Sequence, residues 1–213
     1  MVVNNAGESQ SGPFEELPRE ALERLFQVNV LGHVDFTQRL LLAMRASARQ
    51  GSGGRIVMVG SMLGSFPLGF RSSYVATKAA VKGFATAARR ELAPHGIGIS
   101  TVESGAIATG ISERRTGYVD KHGPYARDYG RMLGKLNRNE AGGISAERVA
   151  REILRPIRAT RPRALRGLQV HGARRVSARA PRSAASHAQH HQRQARPVGL
   201  LKNRGLVYDI QAV

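Results

Sequence analysis

"RIVMVGS" (55–61), "SYVATKAAVKGFATAARRELA" (73–93) and "IGISTVES" (97–104) are the three consecutive runs that decide the fold. The first is a short β-branched run set off by the turn "GSGG" (51–54), the pattern of a buried strand. The second is a long helix closed by Pro94 and Gly96, and the third is another strand ending in a loop. Working back towards the N-terminus, Pro18 stands where a first helical turn tolerates proline. After it Leu22, Leu25, Phe26, Val28, Val30, Val34 and Leu40 to Met44 recur at helical steps, predicting one long amphipathic helix over 18–48, bent near Gly32. Ahead of that helix, Val2 and Val3 read as the end of a strand, and Asn4, Asn5 and Gly7 as the loop at its carboxyl end. Strand, helix, strand, helix, strand implies parallel pairing with right-handed crossovers, an α/β sheet covered on both faces. Working forward, residues 110–143 carry Tyr118, Tyr125 and Tyr129 among many charges and read as a partly helical excursion above the sheet. "SAERVAREILRPI" (145–157) is one more amphipathic helix, capped by Ser145.

A chain of 213 residues suits one domain. It has no cysteine, so it can hold neither a disulfide nor a thiolate metal site, and a cytoplasmic location is expected. No apolar run approaches the length of a membrane span and no leader pattern is visible, so neither membrane insertion nor secretion is expected. The net charge of +18 hints at nucleic acid, but its distribution argues against that partner. Residues 158–213 hold 12 of the 33 Lys and Arg and a single acid, Asp209. That segment has few large apolar residues and no sustained period, so it cannot bury enough surface to offset its ordering entropy. It reads as a basic, low-complexity, mostly disordered tail behind a domain at 1–157. Without interleaved aromatics, its charge would give only salt-sensitive, sequence-blind binding to nucleic acid. "HAQHH" (187–191) reads as a solvated tract rather than a metal site, and His33 as a packed helix residue.

Four residues gather at the carboxyl ends of these strands. Ser61 closes one strand, Tyr74 and Lys78 lie four apart on one helix face, and Asn29 lies in the first helix. A tyrosine beside a lysine and a serine hydroxyl suits proton transfer to or from a carbonyl or alcohol. A free tyrosine has a pKa of about 10, and a nearby ammonium favours its phenolate.

Taken together, "NNAG" (4–7), "NV" with Asn29, "VGS" ending at Ser61, "YVATK" (74–78) and "VESGAIAT" (102–109) resemble the short-chain dehydrogenase/reductase family over residues 1–157. The resemblance implies a Rossmann-like, doubly wound parallel sheet. It also implies an NAD- or NADP-dependent oxidoreductase that moves a hydride between nicotinamide and a hydrophobic alcohol or ketone. Tyr74 is then the acid/base, and Ser61 hydrogen-bonds the substrate oxygen. Lys78 lowers the Tyr74 pKa and holds the nicotinamide ribose, and Asn29 anchors a water linking Lys78 to solvent. Asn5, Ala6 and Gly7 line the cofactor beside Tyr74 and Lys78, with Ile107 and Thr109 at its nicotinamide end. Pairing of subunits through the helices at 18–48 and 73–93 is expected as well. The family's glycine-rich phosphate turn, and the residue that chooses NAD or NADP, have no counterpart here. From that gap the sheet is expected to be incomplete, lacking its first strands, and cofactor binding by this chain alone to be weak. A catalytically inactive remnant is the competing expectation. Ser104 also stands where the family has proline, which frees a φ angle in the loop that follows.

Overall fold

The computed structural model describes residues 1–158 and 168–170. The elements run β1 (Val2–Asn4), β2 (Gln10–Ser11), α1 (Arg19–Phe26), α2 (Gly32–Arg49), β3 (Gly54–Ser61), α3 (Ser72–Leu92) and β4 (Ile97–Ser104). They continue with β5 (Ile107–Ala108), β6 (Thr116–Gly117), α4 (Ala126–Ala141), β7 (Ile144–Ser145), α5 (Ala146–Arg158) and β8 (Leu168–Val170). The main sheet is parallel in the order β1-β3-β4-β8. Val2 stands opposite Ile56 and Asn4 opposite Met58, and β3 runs beside β4 from the Gly54–Ile97 pair to Ser61–Ser104. This is the Rossmann-like α/β architecture that the alternating pattern predicts.

Alternation along β3 divides the core between two faces of the sheet. Ile56 and Met58 join Val2, Val30, Met44, Val81, Ala85, Leu92, Ile97 and Ile99 on the side covered by α2 and α3. Val57 points the other way, to Val102, Ile144 and Val149, with α5 above it. Gly54 stands where this packing is tight: a Cβ there would meet the Ile97 side chain at 2.9 Å.

The expected bend in the first long helix is a π turn over Gln27–Leu31, which joins α1 to α2 without a break. The Gly32 amide donates to the carbonyl of Gln27, five residues back. A Cβ on Gly32 would stand 3.3 Å from that oxygen, a tight contact that glycine avoids. Two elements lie where the sequence pattern places them. Ser145 Oγ accepts from the Arg148 amide at the start of α5, and α4 occupies the charged stretch before it.

β8 lies inside the segment read as mostly disordered tail, and it pairs in parallel with Val102–Ser104 of β4. Three residues are too few to leave a period in the sequence, and the open edge of β4 supplies the order. The rest of that segment, with its His-rich tract, lies outside the described residues.

Candidate active site

The carboxyl ends of β1, β3 and β4 open onto a cavity of about 710 Å³. Asn5, Ala6, Gly7, Tyr74, Lys78, Ser104, Ile107 and Thr109 line it, and α5 closes it with Ala146, Val149, Ala150 and Ile153. Every residue assigned to the cofactor from sequence is in this wall.

The loop after β1 is held from beneath. Asn4 Nδ2 donates to Thr37 Oγ1 at 2.8 Å, and His33 Nε2 donates to the Ala6 carbonyl at 2.7 Å. Burial lowers the His33 pKa, so the ring is held neutral, as fits a packing residue. Asn29 is fully buried within the π turn. Its Oδ1 accepts from the Glu8 amide at 2.8 Å, and its Nδ2 donates to the Glu8 carbonyl at 3.1 Å and to Thr77 Oγ1 at 3.2 Å. Both amide protons are therefore spent on tying the β1 loop to α3. The water-anchoring role expected of Asn29 gains no support from its side chain, which serves as a clamp.

Ser61 ends β3 with its Oγ accepting from the Leu63 amide at 3.2 Å. The loop that follows runs so close to α3 that a Cβ at Gly64 would sit 2.8 Å from the Lys78 carbonyl carbon. Ser61 lies on the Tyr74 side of this loop, where its hydroxyl favours the phenolate. Serine and tyrosine thus meet at one point above the strand ends, where a substrate oxygen can accept from both.

Lys78 is buried, 5% exposed, and Nζ donates to the Val59 carbonyl at 3.0 Å. Burial lowers its pKa to about 8. The expected lowering of the Tyr74 pKa is not what this arrangement gives. Burial pushes Tyr74 up, and what opposes the rise is first the charge of Arg71 and then the Ser61 hydrogen bond. Lys78 Nζ stands 5.7 Å from the tyrosine ring centre, whereas the Arg71 guanidinium carbon stands at 4.4 Å.

Arg71 was not visible as a site residue in the sequence, and neither was the network around it. Its Nη1 donates to Ser9 Oγ at 3.1 Å and to the Gln10 carbonyl at 3.0 Å. Arg115 donates to the same Ser9 Oγ at 3.3 Å and pairs with Glu140 at 2.6 Å. Ser11 Oγ and the Tyr129 hydroxyl bond at 2.9 Å below them. A cluster of polar residues at 8–11 ahead of a helix was the one available signal.

A sequence profile described as short chain dehydrogenase matches residues 1–117. The chain is 31% identical over 170 residues to an NADPH-dependent 3-dehydrocapnine reductase of Ornithobacterium rhinotracheale, covering 77% of this chain and 59% of that protein. It is 40% identical over 115 residues to a probable oxidoreductase, EphD, of Mycobacterium tuberculosis, covering 52% of this chain and 18% of that one. Among solved structures, a short-chain dehydrogenase from Streptomyces avermitilis aligns at 31% identity with a TM-score of 0.67, over 80% of this chain and 60% of its own. A 3-ketoacyl-(acyl-carrier-protein) reductase from Brucella melitensis, solved with NADH, shares the fold at 22% identity and a TM-score of 0.65, over 81% of this chain and 66% of its own. The chain thus spans less than two thirds of the curated relatives it matches. Among the described residues, no helix is long and apolar enough to cross a membrane.

Proposed function

This chain belongs to the short chain dehydrogenase family, and we propose that it is an NAD(P)-dependent oxidoreductase that interconverts a hydrophobic alcohol and its ketone with Tyr74 as acid/base. The observation that carries this reading is that Tyr74 and the buried Lys78 share the wall of one cavity at the strand ends, with Ser61 beside Tyr74.

The wall of that cavity fits the nicotinamide half of a dinucleotide. A Cβ on Gly7 would crowd the buried Asn29 Oδ1 at 3.3 Å and stand 3.8 Å from Lys78 Nζ, so glycine keeps the backbone of this wall close to both. Asn5, Ala6, Ile107 and Thr109 bound the same cavity. Nicotinamide supplies hydride chemistry when bound.

The chain's own residues do the rest. Ser61 donates to the substrate oxygen and steadies the negative charge that grows there in reduction. Tyr74 delivers its hydroxyl proton to that oxygen, or removes one in the reverse direction. Lys78, with a pKa near working pH, can hand a proton on towards Tyr74, and its ammonium can hold ribose hydroxyls. Ile107, Val149, Ala150 and Ile153 exclude water and favour an apolar substrate. The Ornithobacterium relative is named a reductase, and reduction is the direction proposed for this chain.

The test follows loss of reduced-cofactor absorbance with a panel of apolar ketones, comparing the chain with its Tyr74→Phe variant. That change removes one oxygen from a positioned acid/base, so turnover should fall by about 10²–10⁴. Near-normal turnover by the variant would remove Tyr74 from the mechanism.

A further inference from the structure

Arg71 has no part in the roles just described, yet it is among the most carefully held groups in the molecule. Its side chain is buried, 2% exposed, and its Nε has no partner. Among the described residues no carboxylate pairs with it, because Glu140 is taken by Arg115. A guanidinium buried without a counter-ion is costly, so something must fix it in place. Phe70, immediately before it, is the only non-glycine residue with positive φ among those described, at 61°. That region is rarely adopted by a bulky side chain. The Phe70 ring packs edge-on against Tyr125 and Tyr129 at 6.4 and 5.9 Å, and its carbonyl accepts from the Gly12 amide at 2.9 Å. The constrained residue sets the direction in which the chain enters α3, and hence where Arg71 points. It points across the ring of Tyr74.

We infer that Arg71 is a positioning residue that fixes the Tyr74 ring and stabilises its phenolate through an unneutralised buried charge. This rests on the proposed role of Tyr74. The charged groups around Tyr74 are Arg71, Lys78, Arg115 and Glu140, with the Ser61 hydroxyl as hydrogen-bond partner. Lys78 is farther from the ring and is bonded to Val59, and the charge of Arg115 is matched by Glu140. Arg71 and Lys78 are the two cations without a carboxylate, and Arg71 is the nearer to the ring, at 4.4 Å against 5.7 Å. Stacked on the ring it is held by the negative π face, and in a site of low dielectric its charge favours the anionic oxygen.

Two readouts test this. N-Acetylimidazole at mildly alkaline pH acylates phenolates, and peptide mass spectrometry then gives the rate at Tyr74 against Tyr125 as an internal reference. Arg71→Gln should slow labelling of Tyr74 at least about tenfold, the equivalent of one pKa unit, and Arg71→Lys should restore most of it. An unchanged rate in the Gln variant, or no recovery with Lys, overturns the inference. Should the Gln variant fail to fold, Glu140→Gln perturbs the same field with opposite sign. It should speed Tyr74 labelling, and an unchanged rate there also overturns the inference. In turnover, Arg71→Gln should move the acid limb of the kcat profile for alcohol oxidation up by about one pH unit with little change in KM. A packing role alone would lower kcat at every pH without moving the limb. If the parent chain shows no turnover with any substrate, the dehydrogenase reading fails while the labelling arm still decides the role of Arg71.

Discussion

Lys78 on α3 donates to the carbonyl of Val59 on β3 at 3.0 Å, so a buried ammonium is held by a backbone dipole rather than by an acid. Its folded pKa, about 8, lies below the ordinary value of 10.5. Below pH 8 the group is charged both folded and unfolded, and its burial weighs fully against the fold. As pH rises from about 8 towards 10.5 the folded chain loses the proton first, and the penalty disappears. The parent should therefore gain stability over that window relative to Lys78→Met, by about 3 kcal/mol at most. Denaturant melts of both chains across the window measure this. Parallel stability curves would contradict a depressed Lys78.

Gly64 sets the distance between the Ser61 loop and α3. A Cβ there would lie within 2.8–2.9 Å of the backbone of Lys78 and Ala79, atoms that cannot rotate away. Gly64→Ala should cost about 1–3 kcal/mol and move Ser61 away from Tyr74. The expected result is a lower melting temperature together with reduced kcat. Gly69, which has open space where a Cβ would be, is the control, and Gly69→Ala should leave both close to parent values.

Self-association through the long helices is the proposal for assembly. Phe36 and Leu42 on α2 and Phe84 on α3 are 50%, 78% and 48% exposed, large apolar side chains with no cover in a single chain. Buried in a partner, each would contribute about 1.5–3 kcal/mol. Light scattering should give a mass above that of one chain, and Leu42→Glu with Phe84→Glu should lower it. A monomer at micromolar concentration would contradict the proposal.

The sheet was legible because its strands and helices carry strong local periods. The runs at 55–61, 73–93 and 97–104 each state their own structure, and their order leaves few ways to connect them. The positions of Tyr74, Lys78 and Ser61 were legible for a related reason: one helical turn and one strand end place them, whereas the roles expected of them came from motifs spread over residues 4–109 taken together. Arg71 and Arg115 were not. They meet only because the loop at 8–11 passes between them, and a shared bond to Ser9 has no signature in either local segment. The π turn was half visible, since Gly32 marks a bend but not its kind. The electrostatics of Tyr74 were not legible because the helical spacing points to Lys78, whereas Arg71 is nearer the ring, and spacing says nothing of how deeply the phenol is buried.

The widened turn at Gln27–Leu31 keeps the two halves of the first long helix in phase. His33 and Thr37, which hold Ala6 and Asn4, both lie beyond it on α2, whereas the buried Ala21 and Leu25 lie before it on α1. The wide turn takes up one residue more than an α turn would, so the extra residue is absorbed where it stands. Rewinding the same residues as uniform α-helix would carry everything downstream round by about 100°, and His33 and Thr37 would be turned away from β1. The bulge thus works as a phase corrector: it lodges Asn29 in the site without turning α2 off the sheet.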